Sequence, residues 1–369
     1  GIDVAGKAGE ADYAVGVGGR ARWLAVGGFR DEDWDEASEA ARVVRYGLFA
    51  WADPDGAGEV SAAVGELGGV TLGHGALFDG YASGLDVDHA HVGVQLRGAA
   101  GPVAGELVLD DVVAPRIAGA RLAIERDEGI VGGVSAAADR TAPGGMDDGT
   151  AAVAAAAADA EVRARSAGDG ARGAVYVEGV GLAGLGAGLH TGVRGDARAG
   201  DARVGARAEL RAGSDGYVAG WFGPLYERDR RELVAPRGGR DGQRDVAERG
   251  GVGGLGAAGA LTVEAPGVLA GSASYAVRPG LSDVASVRIA APYRASVQVG
   301  AWGAALVERL GDTEALALAV ELRVRLPRGL FLRGEAARLY QSVHDDDSGM
   351  DRLRPLWTAL VAVGHVVGD

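Results

Sequence analysis

The stretch LALAVELRVRL (residues 316–326), followed by PRG (327–329) and LFLRGEAARL (330–339), decides the fold. Even positions from Leu316 carry Leu316, Leu318, Val320, Leu322, Val324 and Leu326, while odd positions carry Ala317, Ala319, Glu321, Arg323 and Arg325. Successive side chains of a strand point to opposite faces, so this segment has one aliphatic face and one small or charged face. Pro327-Arg328-Gly329 reads as a turn, and Leu330–Leu339 resumes the pattern with Arg333 and Glu335 on one side. A soluble sandwich would bury the aliphatic face. A membrane-spanning barrel would give it to lipid and turn the charged face to an aqueous lumen.

The same two-faced pattern recurs in His91–Arg97, Asp159–Arg165, Ala202–Arg211 and Tyr293–Trp302. In each, small or aliphatic residues oppose polar or charged ones, and taken together these polar faces carry charges of both signs, which are costly to bury and natural beside water. The polar positions assign a lumen lined by Arg97, Arg163, Arg165, Arg203, Arg207, Arg211, Arg294, Arg323, Arg325 and Arg333, beside Glu161, Glu209, Glu321 and Glu335. Arg203, Arg207 and Arg211, spaced by four, share a face and form the densest basic group.

Further strands are expected at 11–29, 41–52, 58–75, 103–111, 115–125, 129–138, 171–180, 183–194, 215–224, 245–264, 267–278, 282–291 and 355–367. Helical periodicity is weak throughout. Short turns alternate with long polar connections at 30–40, 76–90, 139–149, 223–244 and 341–354. Long connections on one rim must be separated by an even number of strands. Four lie between 76–90 and 139–149, but five between 139–149 and 223–244, so one segment there is not a strand. The fold expected is all-β: residues 1–369 as a single antiparallel transmembrane β-barrel of about eighteen strands, within sixteen to twenty. Trp51, Trp221, Tyr226, Tyr293, Trp302, Tyr340 and Trp357 fall near strand ends, where interfacial girdles occur.

Composition narrows the function. Cysteine is absent, which excludes disulfide scaffolds, thiolate metal sites and cysteine nucleophiles. No apolar run reaches the ~18–20 residues of a spanning helix. The chain begins at Gly1 without a basic, apolar leader, so any signal peptide is expected to have been removed or never to have existed. Net charge is −14 with no basic cluster, a poor fit to nucleic acid. With only 5 Phe and 65 Gly the chain would make a thin globular core, whereas a lumen needs no packed filling.

Chemical motifs are weak. Gly179-Val-Gly181-Leu-Ala-Gly184 and Gly251-Val-Gly253-Gly-Leu-Gly256 match a dinucleotide fingerprint, but neither precedes a helical pattern. Asp86, Asp88, His89 and His91 could ligate metal, yet an extended chain sends the aspartates one way and the histidines the other. Asp345, Asp346, Asp347 and Asp351 lack the spaced order of a calcium loop. There is no G-x-S-x-G elbow, and His74, His89, His91, His190, His344 and His365 are scattered. No enzyme activity, cofactor or metal site is expected. The acidic run from Asp31 to Glu39 and the Asp345–Asp347 group are expected outside the membrane on the long-loop side.

On the strands 91–97, 159–165, 202–211 and 315–326 and the long loops, the chain resembles a Gram-negative outer-membrane β-barrel of the porin-like type. That resemblance implies the bacterial outer membrane, with lipid as partner, short periplasmic turns and long extracellular loops. It also implies passive diffusion of small polar solutes, with a homo-oligomer as one assembly. One departure is the ending Val366-Val367-Gly368-Asp369, where such barrels usually place an aromatic residue. Two readings compete: a secreted β-solenoid or adhesin, which should show a fixed repeat that is not found, and a scaffolding barrel without an open pore.

Overall fold

The computed structural model describes residues 2–367 apart from 18–22, 25–27, 30–42, 87–90, 127–128, 145–148, 166–169, 231–232, 235–239, 242, 249, 295–296, 307–315, 328–329 and 346–349. In chain order the strands are β1 (Ile2–Ala8), β2 (Ala11–Val17), β3 (Trp23–Leu24), β4 (Gly28–Phe29), β5 (Val44–Ala52), β6 (Gly58–Gly65), β7 (Gly68–Thr71), β8 (Asp79–Ala82), β9 (Gly93–Ala100), β10 (Val103–Leu109), β11 (Ile117–Arg126) and β12 (Ile130–Gly144). Then come β13 (Gly149–Arg165), β14 (Ala171–Leu182), β15 (Gly186–Ala199), β16 (Ala202–Gly213), β17 (Leu233–Val234), β18 (Arg240–Asp241), β19 (Gly254–Ala265), β20 (Leu269–Val277), β21 (Val284–Arg294), β22 (Val297–Leu306), β23 (Leu316–Arg325), β24 (Leu330–Asp345) and β25 (Met350–Val367). Two short helices, α1 (Tyr226–Asp229) and α2 (Gln243–Glu248), lie between β16 and β19.

The main sheet has 21 strands, and all but the two-residue β3 and β4 join in a ring of nineteen. Each pairs antiparallel with the next, and β1 returns to β25 in parallel, with Ile2, Asp3 and Val4 opposite His365, Val366 and Val367. Parity explains that exception: an odd ring of alternating strands must contain one parallel pair. Beyond the end of β1, β3 takes over the seam, pairing antiparallel with β25 through Trp23–Ala359 and Leu24–Thr358. Val17 and Trp23 are six positions apart, as are His365 and Ala359, so β3 continues the line of β2 along β25. Eighteen of the ring strands coincide with expected segments. The nineteenth, β1, escaped because Gly6 and Lys7 interrupt its pattern in a seven-residue run.

The expected strand at 215–224 is absent. Gly216 and Gly220 take left-handed φ values of 81° and 61°, and the segment turns into the lumen instead of running along the wall. Its removal leaves four strands, β13 to β16, between the connections at 145–148 and 214–253, which restores the even count. Two other expectations are corrected. Most of 139–149 and 341–354 is strand, because β12 and β13, like β24 and β25, extend as long hairpins. One rim carries only connections of two to five residues, and Gly9, Gly56, Gly101, Gly129, Gly200 and Gly267 supply left-handed positions there at φ from 55° to 75°. The other rim carries the long connections 66–92 and 214–253.

Burial is inverted relative to a soluble protein. Val162, Val175 and Val193 are register partners across β13, β14 and β15 and are 52%, 56% and 53% exposed. One residue along, Glu161, Tyr176 and Glu209 are buried. In β23, Val320 and Leu322 are exposed on one face. On the opposite face Arg323 lies 4.3 Å over the ring of the fully buried Phe331. This is the surface of a membrane-spanning barrel, aliphatic outside and charged within. Among the expected girdle residues, Trp51 and Trp357 are exposed, whereas Trp221, Tyr226 and Tyr340 are buried. Trp221 and Tyr226 belong to the connection 214–253, with Tyr226 opening α1, so neither marks a strand end. The side chain of Tyr293 lies outside the described residues, and Trp302 packs against a buried cluster around Leu85 and Leu306.

Val320→Arg should therefore lower the stability of the lipid-refolded protein by about 2–4 kcal/mol in denaturant titrations, while Ala319→Ser on the inner face changes it little. Equal costs at the two positions would contradict this facing.

Candidate functional site

The lumen is occupied by the connections 66–92 and 214–253. They meet at a parallel bridge between Phe78 and Phe222, whose rings stack with centroids 4.5 Å apart. The Phe222 N–H donates to the Leu77 carbonyl at 2.9 Å, and the Gly220 N–H to Ala76 at 3.1 Å. Around this bridge Leu72, Leu77, Tyr81, Trp221 and Tyr226 form an apolar core, seated on inward-facing Ile117, Ala137, Ala155, Ala157 and Val180 of the wall. Part of the inner wall beneath the loops is thus apolar.

Helix α1 crosses the lumen as a bar, with all four of its residues buried. On one side Tyr226 donates its hydroxyl to Asp139 of β12 at 2.8 Å, and Arg230, one turn on, donates to the carbonyl and hydroxyl of Thr141 at 2.8 and 2.9 Å. Towards the other side Arg228 lies 5.5 Å over the ring of Tyr340 in β24, and Arg278 lies 3.4 Å from Asp229. Tyr81 donates to Glu227 at 2.6 Å. Burial, with Glu227 and Asp110 close by, pushes its phenol well above the usual range, so it remains a donor.

A second, polar set of contacts fixes 66–92 to the wall. Arg207 and Arg211 of β16 grip the carboxylate of Asp79: Arg207 Nη2 at 2.8 and 3.0 Å, Arg211 Nη2 at 3.0 Å. Arg207 also donates to the His74 carbonyl, and the His74 ring stacks on Tyr176 at 3.9 Å. His74 Nε2 is 3.5 Å from Asp159 and 3.6 Å from Glu161. Tyr176 donates to Glu209 at 2.6 Å, which also bonds Arg211 and lies 3.3 Å from His190; His190 in turn meets the Tyr217 hydroxyl at 2.7 Å. A continuous polar relay therefore links one loop, through the wall, to the other. Glycine makes room for it: a Cβ on Gly192 would stand 2.5 Å from the Tyr176 hydroxyl and 2.7 Å from the Ala208 carbonyl.

The fourteen sequence-assigned lumen residues divide into several groups. Glu161, Glu209, Arg207 and Arg211 belong to the relay just described. Arg163 joins Glu161 and Glu125 at 2.5 and 2.6 Å, and Arg203 stands 3.8 Å from Asp196. The Arg203, Arg207 and Arg211 trio is thus divided, two gripping a loop and one at the short-turn side. Arg97 bonds Glu106 at 3.1 Å. Across the lumen Arg333 bridges Glu321 and Glu335 at 2.7 and 2.6 Å, with Arg323 on the same face. Arg325 is exposed, and the side chains of Arg165 and Arg294 lie outside the described residues. The structure adds Arg121, Asp159, Glu178, His190 and Arg194 to this face. Alternation within β11, β13, β14 and β15 marks them. No sequence signal marked His74 or Asp79, which reach the wall from a loop.

Space remains on the side bounded by β5, β6 and β21 to β24, where a cavity of about 650 Å³ is lined by Arg45, Glu66, Arg288, Trp302, Arg323 and Glu335 among others. Among the described residues there is no group of ligands suited to a metal ion. Asp88, His89 and the acidic groups at 31–39 and 346–347 lie outside the described residues, while His91 contacts Asp111 at 3.0 Å. Gly179 and Gly181 sit within β14, so that fingerprint match is strand, not a phosphate loop.

No protein-family model matches the chain, and no curated protein matches it. Among solved structures it is similar to OccK9 (OpdG) of Pseudomonas aeruginosa, at 13% identity over 96% of this chain and 98% of that chain, TM-score 0.38. It is also similar to the outer membrane protein opdK of Pseudomonas aeruginosa, at 11% identity over 86% and 90%, TM-score 0.38. A third is a BenF-like porin from Pseudomonas fluorescens Pf-5, at 10% identity over 96% and 97%, TM-score 0.38. Likeness at this level assigns no activity, and the lumen itself carries the reading that follows.

Asp79→Ala would leave Arg207 and Arg211 facing each other without their shared carboxylate. Breaking a largely buried pair from one side costs roughly 3–5 kcal/mol. Residues 71–82 should then exchange amide hydrogens and yield to protease much faster, while the barrel still migrates as a compact form in unheated gels.

Proposed function

We propose that this protein is a bacterial outer-membrane channel of the porin-like type that admits small polar solutes past two inward-folded loops. The observation that carries the reading is the pairing of an aliphatic outer wall with a charged inner wall around a partly filled lumen. Lipid is its partner on the outside, and backbone ladder bonds that close on themselves leave nothing for lipid to satisfy. Residues 1–369 act as one unit, since wall, loops and seam share contacts. Among the described residues, buried carboxylates and guanidinium groups of the inner wall pair with one another and fasten the loops, which is a structural use.

The loops make the passage narrower than an open cylinder of this strand number. The charged face at Arg323, Arg333, Glu321 and Glu335 lies along the remaining space, where fixed charges act on a solute within a Debye length of about 8 Å. Mixed signs there give weak ion selectivity. The scaffold reading is the competitor, favoured by the α1 bar, which spans the lumen between β12 and β24.

Conductance across a planar bilayer separates the two. The purified protein, extracted only with detergent, should give discrete current steps. Replacing residues 219–248 by a short Gly-Ser link should enlarge those steps and admit larger neutral sugars in liposome swelling. A folded barrel that passes neither ions nor sugars would establish the scaffold in its place.

A further inference from the structure

We propose that Arg288 of β21 sets the aperture of the remaining passage, by pinning the free edge of the 66–92 connection to that strand. This rests on the channel reading above and names the residue that controls it. The connection is already gripped on one side by Arg207 and Arg211 through Asp79. Its other edge, β7, faces β21 to β24 across the cavity, and Arg288 reaches over that gap. Its Nη1 donates to the Gly68 carbonyl at 2.7 Å, between residues 220 positions apart in the chain.

The contact is shaped from both sides. A Cβ on Gly68 would stand 2.6 Å from Arg288 Nη2, and one on Gly69 would stand 3.3 Å from Arg288 Cζ. The paired glycines therefore leave room for the guanidinium against the backbone, and a side chain there would displace it. Gly69 also takes a φ of 76°, so the chain at the contact follows a path that favours glycine. Arg288 lines the same cavity as Glu66, Glu321, Arg323 and Arg333, so the strut closes one corner of the space that those charges border. Its neighbours across the ladder on the inner face are Ser272 and Trp302. The short serine leaves the space beside the arm open.

A solute moving along β21 to β24 thus meets a positively charged bar whose far end is a backbone carbonyl. An arginine is suited to the place, because its rigid fork spans the gap while remaining protonated. Removing the side chain opens the corner and frees the edge of β7. Adding bulk at Gly68 pushes the guanidinium off its seat.

Arg288→Ala, Arg288→Lys and Gly68→Ala, each verified as folded by heat-modifiable migration, test the assignment. In single-channel recordings Arg288→Ala should raise conductance about two-fold as the bar leaves the open cross-section, and should shift the reversal potential in a salt gradient towards cations. Gly68→Ala should raise conductance in the same direction while keeping the charge, and Arg288→Lys, which keeps the charge but lacks the fork, should fall between the parent and Arg288→Ala. Hydrogen exchange supplies a readout independent of conduction. Loss of one hydrogen bond should speed exchange of the 67–72 segment about five-fold in Arg288→Ala. Unchanged conductance together with unchanged exchange would overturn the assignment. Faster exchange in a protein that conducts in no form would uphold the strut and reject the channel, and an altered conductance with unaltered exchange would reject pinning.

Discussion

Everything in this structure depends on satisfying backbone N–H and C=O groups without water on one side of the sheet. A strand facing lipid has no solvent to bond, so each must find two neighbours and the sheet must close. Closure in turn dictates the side-chain pattern, since only one face of every strand can then be aliphatic. Nineteen strands in the ring make one parallel pair unavoidable. The chain confines that pair to Ile2–Val4, and β3 restores antiparallel pairing farther along β25.

The inner face answers to a different requirement. Charges of both signs are tolerable there because many are matched: Arg121 with Asp159, Arg194 with Glu161, Arg211 with Glu209 and Asp79. Such pairs contribute little net stability when buried, because desolvation offsets their attraction. Their effect is positional. They fix where the 66–92 connection sits, whereas the apolar cluster around Phe78 and Phe222 supplies the burial that holds both loops inside.

The wall was legible in the sequence because alternation has a period of two and leaves a clear trace in segments such as 159–165 and 202–211. The N-terminal strand was not, since seven residues with two glycine or lysine interruptions carry too little pattern. The segment 215–224 misled because Tyr217, Val218, Trp221 and Phe222 are apolar for a reason alternation cannot express: they pack inside the lumen. The parity of long connections nevertheless located that error to a single interval. His74 and Asp79 were beyond reach for a related reason. Their roles come from contacts with residues 85 to 133 positions away, and nothing local distinguishes them from a solvated loop.

The seam carries a consequence for how the molecule is made. Every other adjacent pair in the ring is joined by a connection within the chain, but β1 and β25 are brought together only by closing nearly its entire length. Hairpins can form as neighbours arrive, each at modest entropic cost, while the last pairing waits for all of them. The step that converts an open ribbon into a sealed cylinder is therefore also the most non-local one. Among the described residues it is completed by three residue pairs at the rim and two farther along, the fewest ladder contacts of any junction in the ring.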